Sequence, residues 1–310
     1  MLTNNESLVR LEKKKYHEYR TAYLRYCNED HVELIKEYFF ERTGKKLNLS
    51  SPKTYNEKLQ WLKLYWKDSF ASQCVDKLTA KTIVSEMGCG EIVEPILAVF
   101  NTADEIDFSS LPDCFVLKPT NSSGMNLFVT DKNNIDLDRT KRIYEEILKI
   151  RYDTIKLEWC YENIVPRIIC EPLIKPKADR PLDYKFYCFH GKVRFVEILT
   201  ACDWCFGNDP DELIVDRDFN RLEFSYSFAN KLYVDKFPNF EKMVYYAEKL
   251  AAPFPHVRID LYNPEENIIR FGEFTFFPSA GYGKFNPEEF DLKIGNYLDL
   301  TKICGIFASD

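Results

Sequence analysis

The chain has 310 residues, a formal net charge of −7, and is 45% hydrophobic and 15% aromatic. That composition supports two sizeable cores, or one core divided into lobes, and excludes disorder. The acidic balance argues against a general nucleic-acid binder, whose affinity comes from a basic surface that releases counterions, and leaves room only for a local basic groove.

The first twenty residues, MLTNNESLVRLEKKKYHEYR, are charged throughout and contain no apolar signal core. No apolar run approaches the roughly 20 residues of a membrane span. Both features predict a cytoplasmic protein that does not span a membrane, with its ten cysteines reduced. The single C-x-x-C, Cys202 to Cys205, lacks a second pair. Structural zinc takes four ligands, so ordinary thiols are the preferred reading. Eleven glycines in 310 residues is about half the usual usage of roughly 7%, so each marks a place where the backbone needs freedom.

Taken in order, residues from about Glu6 to Arg42 have near-helical spacing of Leu8, Leu11, Tyr16, Tyr19, Tyr23, Tyr26, Leu34, Ile35 and Phe39, stopped at Thr43-Gly44. Thr54-x-x-Glu57 has the form of a capping box and opens a helix that ends near Asp68. Cys74 to Met87 reads as an amphipathic helix with Gly88 at its C-cap, carrying Lys77 and Lys81 one turn apart on one side. On their own, those residues read as two solvated lysines. Ile92 to Phe100 reads as a strand, bent or at an edge because of Pro95.

In Phe115 to Thr130 a strand delivers Lys118, the small-residue loop Thr120-Asn121-Ser122-Ser123-Gly124 turns the chain, and a strand returns. Such a loop aims N–H and hydroxyl groups at phosphate, although a plain hairpin turn uses the same residues. It is not a P-loop, because the lysine precedes the loop and a strand follows it. A helix from about Asp138 to Arg151 leads to a strand at Arg167–Leu173 that presents Glu171. Asp183 to Ile198 reads as a hairpin turning at His190-Gly191, with Asp183, Lys185 and Tyr187 on one face and His190 an exposed turn residue. Residues 203 to 236 are irregular, either a substrate-facing insertion or a surface excursion. A helix at Phe240–Ala251 and a C-terminal helix from Pro287 to Leu300 complete the chain.

The chemistry concentrates in a hairpin between Val257 and Gly283. Val257, Ile259 and Leu261 alternate with Arg258, Asp260 and Tyr262. After the Asn263-Pro264 turn, Ile269, Phe271, Glu273 and Thr275 alternate with Arg270, Gly272, Phe274 and Phe276. Antiparallel pairing brings Asp260 near Glu273, and adjacent carboxylates repel unless a cation lies between them. Mg²⁺ favours such hard oxygens and completes its shell with water and phosphate. Arg258, on the strand face of Asp260, suits a phosphate or carboxylate. The competing reading is a pair of acids on a solvated hairpin face.

Seven segments together resemble the ATP-grasp superfamily, and more closely its TupA-like branch: YNEKLQWLKLY, VDKLTAK, FVLKPTNSSG, PRIICEPL, DYKFYCFHGK, FPHVRIDLY and FGEFTFFPSAGYGKF. They run from about residue 50 to the end. The resemblance implies an α+β ATP-grasp fold with a nucleotide held between two α+β lobes. Its parts are a helical extension (1–50), an N-terminal lobe (51–114), a small clamping lobe (115–172) and a central and C-terminal lobe (173–310).

It also implies roles. Lys77 or Lys81 and Lys118 contact phosphates, the loop of Thr120, Ser122, Ser123 and Gly124 closes over them, Glu171 marks the hinge beside adenine, and Lys185 lies along the triphosphate. Asp260 and Glu273 bind Mg²⁺, with Thr275 at the position where the superfamily usually has the Asn of Glu-x-Asn. Threonine is the poorer ligand, which weakens the case for a second Mg²⁺. Arg258 and Lys185 become the catalytic groups, with Arg258 holding acylphosphate oxygens as charge develops.

The activity implied is an ATP-dependent, ADP-forming carboxylate–amine ligase. Its substrates are a sugar carboxylate, such as a uronic acid of a cell-surface polysaccharide or its membrane-linked precursor, and an amine donor. The alternatives are a sugar kinase using the same ATP site, a metal-dependent glycosyltransferase using Asp136-Leu137-Asp138 or Asp216-Arg217-Asp218, and a non-catalytic scaffold.

Overall fold

The computed structural model describes residues 8, 11, 16–174, 182–200, 210–226, 228–265 and 267–303. Two helices lead the described chain, α1 at Tyr16–Asn28 and α2 at His31–Thr43. The helical run expected from Glu6 to Arg42 breaks between them, because the Asp30 side chain accepts the backbone N–H groups of Val32 and Glu33 and starts a new helix. Gly44, at φ 71°, ends α2.

Helix α3 (Tyr55–Tyr65) carries the predicted capping box. Thr54 accepts the Glu57 N–H, while Glu57 accepts the Thr54 N–H at 3.0 Å. The next helix is shorter than expected and divided into α4 (Ser69–Val75) and α5 (Thr79–Val84). Asp76 makes the division by accepting the Leu78 N–H at 2.9 Å and the Thr79 hydroxyl at 3.1 Å, the local bond with which aspartate competes against a helix. Lys77 therefore sits in a turn and Lys81 on a helix. Gly88 is left-handed, at φ 69°, as a helix end requires.

A four-stranded sheet follows, built from β1 (Ala98–Phe100), β2 (Phe115–Pro119), β3 (Leu127–Val129) and β4 (Ile168–Pro172) in the order β1-β4-β2-β3, antiparallel throughout. Helix α6 (Leu137–Leu148) lays Ile143, Tyr144 and Ile147 against it, and the Tyr144 hydroxyl donates to the Leu117 carbonyl at 2.8 Å. Leu8 and Leu11 join this smaller core.

The larger sheet has the order β10-β9-β5-β6-β7, from β5 (Leu182–Phe189), β6 (Lys192–Thr200), β7 (Glu212–Val215), β9 (His256–Glu265) and β10 (Ile268–Thr275). Strand β8 (Ser225–Tyr226) pairs separately with β11 (Phe285–Asn286). Of the irregular 203–236 segment, the described part thus supplies an edge strand and a short ribbon.

One face of the larger sheet is apolar. Tyr184, Phe186, Cys188, Val257, Ile259, Leu261 and Phe274 are buried in the same core as helix α7 (Phe240–Ala251), and Phe186 meets Phe240 at a ring distance of 6.1 Å. Burying each such side chain contributes about 1.5–3 kcal/mol. A slip of one residue would turn that whole set outward, so packing fixes the register. The opposite face, with period two, therefore collects Asp183, Lys185, Tyr187, Glu197, Arg258 and Asp260. Helices α3 to α5 belong to this larger core, as does Ile294 of the last helix, α8 (Glu289–Gly295).

His190 is not an exposed turn residue. It is half-buried, takes a positive φ of 47°, and its Nε2 accepts the Asp299 N–H at 3.0 Å, fastening the C-terminal segment to the hairpin tip.

Candidate active site

Asp260 and Glu273 are direct partners across the β9–β10 ladder, as are Arg258 and Thr275. The β9–β10 ladder has two register irregularities, and the one beside the acidic pair breaks the alternation expected in β10. The register shifts between Phe271 and Glu273, so Arg270 shares the charged face with Glu273 while Phe271 and Phe274 share the core face. Gly272 is the extra residue of this bulge. A Cβ there would lie 2.9 Å from both the Asp260 carbonyl oxygen and Tyr262 Cε2, so only glycine fits.

Arg258 occupies the space beside both acids. Its Nε and Nη2 donate to Asp260 at 2.6 and 2.7 Å, and its Nη2 also donates to Thr275 Oγ1 at 3.1 Å and lies 3.6 Å from Glu273. Burial, aided by Glu273 and opposed by Arg258, leaves the Asp260 carboxyl raised to about 6. Lys185 is the cross-strand neighbour of Asp260 on β5. One ladder row therefore reads Glu273, Asp260, Lys185, Glu197 across four strands.

The smaller sheet brings its own charges to the same cavity. Glu171 and Lys118 sit on the adjacent strands β4 and β2. Lys118 and Lys81 grip the Glu171 carboxylate at 2.5 and 2.8 Å. Burial alone would raise that carboxyl, but the two lysines hold it below its usual range. Burial lowers Lys81 and Lys77, the latter bonded to the Ser122 carbonyl. Lys77, Lys81, Lys118, Glu171, Tyr262, Gly272 and Glu273 all line this one cavity. On sequence alone Lys77 and Lys81 read as solvated; the fold puts both with Lys118 around one opening.

The small-residue loop is more tightly built than its composition implies. The Thr120 hydroxyl donates to the Val165 carbonyl at 3.1 Å and accepts the Arg167 N–H at 3.0 Å. Ser122 is fully buried, and its Oγ has no hydrogen-bond partner among the described residues. Ser123 is half-buried and bonds Tyr152. Gly124 turns the chain at φ 68°.

The TupA-like ATPgrasp family matches residues 57–299. The chain belongs to that family. Among solved structures, it is similar to an L-amino acid ligase from Bacillus licheniformis at 12% identity and a TM-score of 0.50, over 89% of this chain and 65% of that one. It is also similar to a D-alanine–D-alanine ligase from Bacillus anthracis complexed with ATP (16%, TM-score 0.39, 73% and 66%). A third is the ATP-grasp ligase PsnB complexed with a precursor variant, Mg and ADP (12%, TM-score 0.43, 78% and 64%). The chain spans less than two thirds of the length of each. At such identities the likeness establishes the fold alone, and the α+β ATP-grasp fold expected from the sequence is present. No match is found among curated proteins.

For a TupA-like ATP-grasp chain the donor set matters. Two carboxylates and the Thr275 hydroxyl, which donates to Glu273 at 3.3 Å, offer the hard oxygens that suit one Mg²⁺. The described residues contain no group of three or more His, Cys, Asp or Glu side chains able to hold a metal by themselves. Asp216 is occupied by its own turn, accepting the Asp218 and Asn220 N–H groups and the Asn220 amide at 2.8–2.9 Å. In Asp136-Leu137-Asp138, Asp136 caps α6. Cys202 and Cys205 lie outside the described residues. No described helix is long and apolar enough to cross a membrane.

Sequence reasoning passed over Asp183, Tyr262 and Glu212. Asp183 faces the same cluster, where burial raises its carboxyl against the pull of Lys185 and Arg258. Cross-strand pairing with Tyr262 ties it to the cavity wall. The period-two face that held Lys185 was the available signal.

Proposed function

We propose that this protein is an ATP-dependent, ADP-forming carboxylate–amine ligase. The observation that carries the reading is the convergence of Lys77, Lys81 and Lys118 with Glu273, the ladder partner of Asp260, at one cavity between the two sheets. The lysines offer charge to phosphate oxygens, and the lowered proton affinity of Lys77 and Lys81 reflects a dry setting in which contact with an anion strengthens. Bound at Asp260, Glu273 and Thr275, Mg²⁺ would neutralise phosphate charge. Arg258, oriented by Asp260, would hold the oxygens of an acylphosphate as their charge develops. Lys185, beside Asp260, would lie along the triphosphate. The Ser122–Gly124 turn would cover the phosphates and exclude water.

In this reading the nucleotide lies between the lobe of residues 115–172 and that of residues 173–310. The 51–114 lobe contributes Lys77 and Lys81, and residues 1–50 form an extension. The substrate class we favour is a uronic acid of a cell-surface polysaccharide or its precursor, amidated by an amino compound in the cytoplasm. Family analogy alone suggests that class.

The test is calorimetric titration of ATP, with and without Mg²⁺, into the wild type and into Glu273→Ala and Lys118→Ala. Mg²⁺-dependent binding lost in both variants supports the reading, and ADP release on adding sugar carboxylates with amines identifies the substrates. Binding of a nucleotide sugar in place of ATP would defeat it.

A further inference from the structure

On the charged face of the larger sheet, one strand beyond Lys185, two glutamates are buried side by side. Glu197 is 3% exposed and Glu212 is 0% exposed. In the β6–β7 ladder Glu197 pairs with Ile214 and Leu199 with Glu212, which makes the two glutamates diagonal neighbours on one face. Glu197 lies close enough to raise the proton affinity of the Glu212 carboxyl. Glu212 Oε2 accepts the Tyr226 N–H at 2.8 Å, whereas Oε1 is buried without any donor among the described residues. Glu197 accepts the Tyr187 hydroxyl at 2.8 Å.

Two ionised carboxylates close together inside a core repel one another, and a buried acceptor without a donor is costly. One proton held between them resolves both problems. Burial and the neighbouring Glu197 push Glu212 up to about 10. The pair then keeps a single negative charge, facing Lys185 and Tyr187 of β5, Tyr226 of β8, and beyond them Arg258 of β9 and Tyr55 of α3. The Tyr187 ring in turn lies 6.0 Å from the Arg258 guanidinium, within cation–π range.

We propose that Glu197 and Glu212 share one proton and together anchor Tyr187, which makes Glu212 a positioning residue for Arg258 and, through it, for Asp260 and Thr275. The catalytic half of this inference rests on the ligase reading; the shared proton does not. A carboxyl whose folded pKa is raised from 4.5 to about 10 gives stability that is complete below 4.5 and drains away as pH rises toward 10.

The experiment uses the full chain. Infrared spectra of the wild type at neutral pH should contain the C=O stretch of a buried protonated carboxyl, and Glu212→Gln should remove it. Glutamine supplies the donor without the titration, so that variant should also lose part of the decline in melting temperature from acid to alkaline pH. In ADP-release assays Tyr187→Phe and Glu212→Leu should lower kcat by about tenfold or more with KM for ATP little changed, and Glu212→Gln should recover most of that loss. An unchanged carboxyl band in Glu212→Gln overturns the shared proton. Wild-type kcat in Tyr187→Phe overturns the positioning role. If the wild type releases no ADP with any substrate, the ligase reading falls while the infrared arm still decides whether the proton is shared.

Discussion

Glu273 faces Asp260 directly across the β9–β10 ladder, and the Arg258 guanidinium contacts both, at 3.6 Å and 2.6 Å. The two acids differ in what they hold. The Asp260 side chain is 10% exposed and bonded twice by Arg258, whereas that of Glu273 is 34% exposed and reaches the cavity. Asp260→Ala should therefore lower stability by about 3 kcal/mol, the penalty for taking from a buried arginine its closest, doubly bonded partner, and should also abolish Mg²⁺-dependent ATP binding. Glu273→Gln should abolish that binding while leaving the melting temperature nearly unchanged. Chemical denaturation and calorimetry on both variants separate the two effects, and equal destabilisation would contradict this division of labour.

Glu171 neutralises two lysines at once. Glu171→Gln leaves Lys81 and Lys118 facing each other without a carboxylate, a loss of about 1–3 kcal/mol for the ligand-free protein. A polyphosphate should then stabilise the variant more than the wild type, because it replaces the missing counter-charge. A smaller ATP-induced rise in melting temperature than in wild type would instead favour a direct role for the Glu171 carboxylate in holding the nucleotide.

Gly272 sets the bulge that returns Glu273 to the face of Asp260. In Gly272→Ala the new methyl would stand 2.9 Å from the Asp260 carbonyl, an overlap that backbone movement must relieve. Such overpacking costs about 1–3 kcal/mol. The same movement should weaken Mg²⁺-dependent binding although no ligand atom has changed. A variant with wild-type stability and binding would show that the hairpin adapts without cost.

The contrast between the readable and unreadable parts of the site follows from periodicity. The face of Asp260 is legible because strand alternation sets it apart from the apolar Val257, Ile259 and Leu261, whereas Glu273 is legible only as a carboxylate on the partner strand, since strict alternation groups it with Ile269 and Phe271. The bulge at Gly272 is not legible, since the shift depends on how closely β10 approaches β9. Lys77 and Lys81 were read on one helix. Asp76 interrupts that helix with side-chain bonds of its own, yet both lysines still reach the cavity. Glu197 and Glu212 escaped notice because a glutamate in an alternating strand normally marks the wet face, and only tertiary packing buries both.

His256 joins the far side of the hairpin to the N-terminal half, and it carries the clearest dependence on acid. Its Nε2 lies 2.9 Å from the Tyr55 hydroxyl and its Nδ1 3.2 Å from the Phe276 carbonyl, which requires Nδ1 to carry the hydrogen; burial keeps the ring neutral, so that Nε2 accepts the Tyr55 hydroxyl. Burial pushes the imidazole down to about 3; the Phe276 carbonyl opposes this, and the charge on Arg258 adds to it. An unfolded histidine binds its proton near 6.5, so the unfolded state takes up a proton that the folded state refuses between pH 6.5 and 3. Stability is complete above that window and falls with acid, by at most about 1.4 kcal/mol per pH unit for one such group. His256→Gln can keep both hydrogen bonds and has no charge to gain. The variant should be less stable than wild type at neutral pH, because the packed ring is lost, yet its free energy of unfolding should fall less steeply on acidification. Urea titrations of both proteins across that range make the comparison, and parallel slopes would mean that His256 does not carry the acid sensitivity.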